Sequence, residues 1–178
     1  MSASPSSAVV AEPDVMTSIV IAAPPSLVYS ILLDIPGYPR WISMFVKASA
    51  SPSGPDGALA VGDALHLALK PAGADKKPFE FSPRITEITP GRVFEWIGAL
   101  PLGLFTGRHR LEVQAHAEGT RLLHSEAFSG PAPWLCRASG AQWWSANMAK
   151  TRANFERANE ELKRHAEALH ASGQTRTA

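Results

Sequence analysis

The stretch "RHRLEVQAHAEGTRLLHSEAF" (108–128) decides the fold. In its first half Arg108, Arg110, Glu112 and Gln114 alternate with His109, Leu111 and Val113. In its second half Thr120, Leu122, His124, Glu126 and Phe128 share one face, and Arg121, Leu123, Ser125 and Ala127 share the other. Period-two alternation in two runs joined around "HAEG" predicts an antiparallel hairpin. A two-residue turn at Ala117–Glu118 pairs His109 with Glu126, Leu111 with His124, Arg110 with Ser125 and Arg108 with Ala127. A turn one residue later sets Glu126 opposite Leu111 instead, since the turn fixes the register. In both registers two histidines and a glutamate point with the apolar set toward the interior.

Outward from the hairpin, the pattern adds more strands and then changes period. "VMTSIVI" (15–21) is a first strand, with Val15, Ile19 and Ile21 on one face. Tandem prolines open a helix over about 24–33, where a missing N–H costs nothing, and Leu27, Val28, Ile31 and Leu32 form its apolar stripe. "IPGYPRWISMF" predicts a second short helical turn, with Trp41 and Phe45 covering one end of the core. "VKASASP" begins a strand, "ALHLALK" (64–70) alternates cleanly, and "PAGADKKP" is a polar turn. "FEFSPRITEI" (79–88) reads as one long strand, broken or bulged at Pro83, because proline cannot donate to a central ladder. "RVFEWIG" (92–98) places Phe94 and Trp96 inward, against Val93, Glu95 and Ile97. "ALPLGL" is an apolar loop, and "FSGPAPWLCRASG" (128–140) is a loop with exposed Trp134 and Leu135, either a lid or a packed surface segment. From 140 to 169, Trp144, Met148, Thr151, Phe155, Ala158, Leu162 and Leu169 recur at spacings that make one stripe of a long helix. Its other faces carry Lys150, Arg152, Glu156, Arg157, Glu160, Glu161, Lys163 and Arg164.

Consecutive strands with tight turns, followed by one amphipathic helix, predict an α+β fold. The expectation is a curved antiparallel sheet of about six or seven strands gripping a long C-terminal helix, with two short helices after the first strand. The predicted domain is 14–170, between disordered tails at 1–13 and 171–178 that are rich in small and polar residues.

Composition narrows the function. The 178 residues are 45% hydrophobic, enough for a sizeable core. A net charge of +1 offers no footprint for nucleic acid. The single cysteine, Cys136, excludes an internal disulfide and a cysteine zinc site. No apolar run is long enough for a membrane span, and "MSASPSSAVVAEPD" has neither the basic nor the apolar region of a secretory signal. The expected location is the cytoplasm, and no motif specifies an oligomeric state.

The chain resembles the START-like superfamily of helix-grip proteins, which includes the polyketide cyclase/dehydrase-like (SRPBCC) proteins and the pollen-allergen type of ligand binder. The carriers are "IAAPPSLVYSILLDIPGYPRW", "ITEITPGRVFEW", "GRHRLEV", "EGTRLLHSEAFSG" and "NFERANEELKRHAE", spread over about 15–169. Tyr29 stands where tryptophan is common in the family's opening pattern. The resemblance implies a cavity between sheet and C-terminal helix, but no particular reaction, since such scaffolds host unrelated functions.

His109, His124 and Glu126 are the candidate polar site. An unpaired inward carboxylate is costly, and a neighbouring imidazole relieves it. The pair is open to three readings: a satisfied buried pair, a ligand-orienting contact, or a general acid–base couple. Two histidines and a carboxylate also have the composition of a metal site, but nothing in the spacing demands one, and no metal or cofactor is predicted. Trp41, Phe45, Leu67, Phe79, Phe81, Phe94, Trp96, Leu111, Trp144 and Met148 are the candidate apolar walls. Cys136 lies beside Arg137 with no acid or histidine fixed near it, so it reads as structural rather than nucleophilic. The expected partner is a small hydrophobic molecule, aromatic or polycyclic. The alternatives are a cyclase, dehydratase or isomerase using the His/Glu pair, and a lipid-transfer or regulatory protein.

Overall fold

The computed structural model describes residues 12–70 and 77–173. Of the predicted tails at 1–13 and 171–178, residues 1–11 and 174–178 lie outside the described residues, as does most of the "PAGADKKP" turn. Strand β1 is Val15–Ile21, followed by helix α1 (Pro25–Leu33), a 3-10 turn at Ile35–Gly37 and helix α2 (Tyr38–Trp41). Strands β2 (Phe45–Ala50), β3 (Leu65–Leu69), β4 (Phe79–Phe81), β5 (Arg84–Thr89), β6 (Val93–Ala99), β7 (Thr106–His116) and β8 (Gly119–Ser129) come next. Helices α3 (Pro131–Ser139) and α4 (Ala141–Ala171) close the fold.

Five strands form one antiparallel sheet in the order β1-β8-β7-β6-β5, and β2-β3-β4 form a second. The described residues thus hold eight strands rather than six or seven, and Pro83 is the physical reason. Lacking an N–H, it ends β4, and the chain beyond it pairs elsewhere. Its carbonyl accepts from the Leu65 N–H at 2.9 Å, and an Ala64–Arg84 bridge joins the two sheets at that point. The β7–β8 hairpin turns at Ala117–Glu118, with His109 opposite Glu126 and Leu111 opposite His124.

The core lies between the large sheet and the helices. Phe94, Leu111 and Leu122 from the sheet meet Val28, Ile31 and Leu32 of α1 and Ala158, Leu162 and Ala166 of α4. Tyr29 and Tyr38 are buried, and each donates its hydroxyl to a backbone carbonyl, Val93 O at 3.1 Å and Leu32 O at 2.6 Å.

Two expectations change at the C-terminal end. Residues 131–139 are a helix, not a loop: Pro131 sits in its first turn, where its fixed φ suits a helix start. Gly130 has φ 109° and comes so close to the carbonyls of Gly103 and Leu104 that no side chain fits there. Trp134 and Leu135 are exposed as predicted. In α4, burial begins only at Phe155, and the earlier stripe residues Trp144, Met148 and Thr151 are half-buried. The charged residues of α4 are also not simply solvated. β1 is an edge strand, and Arg152 donates to Met16 O at 2.7 Å, Lys163 donates to Val20 O at 2.6 Å, and Glu167 accepts from the Ala22 N–H at 2.8 Å.

Candidate functional site

Three rows of inward positions cross strands β6, β7 and β8. The first row is Phe94, Leu111 and His124; the second is Trp96, His109 and Glu126; the third is Gly98, Gly107 and Phe128. The rows follow from the pleat, which sends every second residue to the same face. In the first row Phe94 and Leu111 are buried in the core, and His124 meets Asn159 and Phe155 of α4. In the second, Trp96 and His109 stack 4.2 Å apart at 19°, and His109 meets His124 of the first row edge-on at 4.6 Å. Phe155 of α4 stacks on His124 at 3.7 Å. The third row has no side chains on two of its three positions, and there a cavity of about 330 Å³ opens. Its walls include Phe45, Phe79, Phe81, Leu100, Phe105, Phe128 and Phe155, with Gly98 and Gly107 in the sheet beneath and His109 and Glu126 as its polar groups. Its volume is at the low end of the roughly 300–1,000 Å³ of small-molecule sites.

A smaller cleft of about 40 Å³ lies on the other side of the second row, lined by Trp41, Tyr38, Leu111, His124, Asn159 and neighbours. Phe45, Trp96 and His109 border both spaces. The Trp41 Nε1 is a buried donor without a hydrogen-bond partner among the described residues.

The polar groups form a chain. Glu126 Oε2 lies 2.7 Å from His109 Nδ1, and His109 Nε2 lies 3.0 Å from His124 Nε2. His124 Nδ1 lies 2.8 Å from Asn159 Oδ1, and Asn159 Nδ2 donates to Thr17 Oγ1 at 2.9 Å. Thr17 Oγ1 donates to the His124 carbonyl at 3.3 Å. The far end sets the protons. Asn159 presents its oxygen to His124, so His124 Nδ1–H donates. Burial, reinforced by the neighbouring His109 and opposed by the Asn159 bond, holds the His124 pKa well below the ordinary histidine value. A neutral His124 then accepts at Nε2 from His109 Nε2–H. One further proton remains on the short contact between His109 Nδ1 and Glu126 Oε2. This couple is mostly buried, with side-chain exposures of 16% and 14%, and it faces the larger cavity.

The three predicted polar residues are therefore together, but their nitrogen and oxygen atoms are turned on one another rather than on a common point. Among the described residues no group of three or more His, Cys, Asp and Glu is placed to hold a metal ion. Of the predicted apolar walls, Phe45, Phe79, Phe81 and Trp96 border the larger cavity, and Trp41 and Leu111 border the cleft. Leu67 and Phe94 are sealed in the core and border neither. Trp144 and Met148 also border neither, because they precede the buried part of α4. Trp144 instead meets Phe128 edge-on at 5.8 Å and lies under the Arg137 guanidinium at 4.5 Å.

Asn159, Gly98 and Gly107 escaped the sequence reading. Asn159 carried a signal: it follows Phe155 by four positions and so lies on the buried stripe of α4. The glycines carried one too, since each continues the period-two series of Trp96 or His109. Cys136 is half-buried in α3 and unpaired in any disulfide.

A family model described as "Polyketide cyclase / dehydrase and lipid transport" matches residues 12–167. No curated protein matches the sequence closely. Among solved structures, the di-domain ARO/CYC StfQ of the steffimycin biosynthetic pathway is similar with a TM-score of 0.69 at 13% identity, over 88% of this chain. The chain spans about half of that protein, 52% of its length. The Zhui aromatase/cyclase of Streptomyces sp. R1128 is similar over 90% of this chain and 98% of that one, with a TM-score of 0.67 and 16% identity. SA2116 of Staphylococcus aureus, a protein of unknown function, gives a TM-score of 0.68 at 11% identity, over 89% of this chain and 94% of that one. At such identities these likenesses speak for the fold. No helix of the described residues is long and apolar enough to cross a membrane.

Proposed function

We propose a function from one premise: this chain belongs to the polyketide cyclase / dehydrase and lipid transport family. The chain binds a small hydrophobic molecule, aromatic or polycyclic, in the cavity beside the second row of ring residues, and the Glu126–His109 couple orients it. The observation that carries this reading is the hydrogen-bonded chain from Asn159 to Glu126, which ends at an apolar cavity walled by phenylalanines. Apolar walls supply affinity, and a single polar couple among them fixes orientation. Glu126 is bound to His109 through Oε2, which leaves Oε1 to accept from a ligand hydroxyl. His124 and Asn159 act behind the couple, as positioning residues that fix its protons.

The same short contact favours a second reading, an enzyme of cyclase or dehydratase type. Glu126 as base would take a proton from the carbon beside a ligand carbonyl. The couple would return a proton to a departing hydroxyl, which leaves as water, so that no proton is gained or lost. The apolar walls would hold the chain of the substrate folded for that step.

Native mass spectrometry of the protein purified from its own source tests the first reading. Retention of a small aromatic molecule is expected, and a protein that carries none under any growth condition counts against it. Glu126→Gln separates the two readings. A carrier keeps its ligand with altered affinity and has no turnover to lose, whereas an enzyme loses turnover while ligand binding is largely kept.

A further inference from the structure

We infer that the two facing glycines of the third row set the specificity of the cavity: Gly98 leaves open a floor for a flat ring of the ligand, and Gly107 leaves room for the Glu126 carboxylate. This rests on the reading of the cavity as a ligand site. Glycine within a strand is unfavourable, and it marks a bulge, a bend or a close approach. Neither Gly98 nor Gly107 has a positive φ, so the backbone does not require glycine at either position. Space is the remaining reason, and it differs between the two. A Cβ on Gly107 would lie 2.8 Å from Glu126 Oε1 and 3.4 Å from the Phe128 ring, so the carboxylate rests against the bare backbone. A Cβ on Gly98 would meet Pro83 Cβ alone, at 3.8 Å, and otherwise face the cavity. Side chains at Gly98 would thus fill ligand space without touching the polar couple. Side chains at Gly107 would move the couple. The ligand class that fits is a fused planar aromatic with a hydroxyl on the edge toward Glu126 Oε1, which accepts from it. Its rings would lie over Gly98, next to the Trp96–His109 stack.

The test uses naphthalene, 2-naphthol and 2-hydroxyanthracene in equilibrium dialysis, with long-range nitrogen NMR of the His109 ring on the same proteins. Gly98→Val is expected to weaken 2-hydroxyanthracene by about tenfold or more, and 2-naphthol much less, as an added group in a hydrophobic pocket does. It should leave the His109 ring signals unchanged. Gly98→Ala, a smaller change, should show the same order of effects if the valine variant fails to fold. Gly107→Ala is expected to abolish the preference for 2-naphthol over naphthalene and to shift the His109 ring signals. Equal weakening of both hydroxylated probes by the Gly98 variants would overturn the assignment of the floor. Wild-type ring signals and probe preference in Gly107→Ala would overturn the assignment of the carboxylate berth. Should wild-type protein take up none of the probes, the ligand-site reading fails and the floor with it, while the His109 signals still decide the role of Gly107.

Discussion

Asn159 is the residue on which the polar site turns. It is buried at 3% exposure, and its amide satisfies both His124 and Thr17. Asn159→Leu leaves the His124 Nδ1–H without an acceptor, and we expect a loss of about 1–3 kcal/mol in urea unfolding. The loss should be much smaller in a His124→Phe background, because the orphaned donor is gone. Gly98 predicts the opposite sign. Its backbone suits other residues, so Gly98→Ala should raise stability by about 0.4–1 kcal/mol through the unfolded chain, measured as a higher urea midpoint. A gain of stability together with a loss of cavity would identify glycine there as serving the site. At this scale His109, His124 and Glu126 were legible because a polar residue breaks an apolar series. Asn159 lay beyond the hairpin's pattern, in a helix whose polar residues mostly face water.

The hairpin and the long helix are the elements that positioned everything else. Which of the two β7–β8 registers forms is set by the turn at Ala117–Glu118, whereas the strands and their faces follow from local alternation. The role of α4's charges does not, because a lysine on a helix looks the same whether it meets water or a neighbouring strand. Here Arg152 and Lys163 reach backbone carbonyls on the open edge of β1, and Glu167 the Ala22 N–H just beyond it, an edge that would otherwise be a template for another chain. The double variant Arg152→Ala, Lys163→Ala should expose that edge. Concentration-dependent association in analytical ultracentrifugation is the expected result, with the wild type unaffected at the same concentrations. A second element-scale expectation concerns α3. Arg137 binds Asp14 at 2.7 Å and the Phe128 carbonyl at 2.8 Å, while Asp14 accepts from the Phe128 N–H at 2.8 Å. Asp14→Ala removes that latch, and hydrogen exchange in α3 and at the Phe128 amide should quicken by roughly five- to thirtyfold, the equivalent of about 1–2 kcal/mol, with β7 and the rest of β8 unchanged.

Across the whole molecule, the neutral state of His124 couples folding to pH. The folded chain holds this pKa well below its ordinary value, chiefly by burial. Below about pH 6.5 the unfolded chain binds a proton there that the folded chain does not, so its contribution to stability is complete above that pH and is lost as pH falls. We expect the unfolding free energy to drop toward acid with up to ~1.4 kcal/mol per pH unit from this group. His124→Phe, which keeps the ring against Phe155, should flatten that slope. An unchanged slope would mean that the acid sensitivity lies elsewhere.

What the sequence determined by itself is local and periodic: the strands, the helix stripe, the existence of the hairpin and the inward aim of His109, His124 and Glu126. These depend on neighbours two, three or four positions apart, or across one tight turn. Only the tertiary structure decided which inward residues meet. Leu67 and Phe94 are sealed in the core, whereas Gly98 and Gly107 border open space, and alternation alone cannot separate the two cases. The split of 79–88 between two sheets, the engagement of Asn159 and the size of the cavity likewise depend on elements distant in the chain. A cavity is space that several elements jointly leave unfilled, so no single stretch of sequence carries its shape.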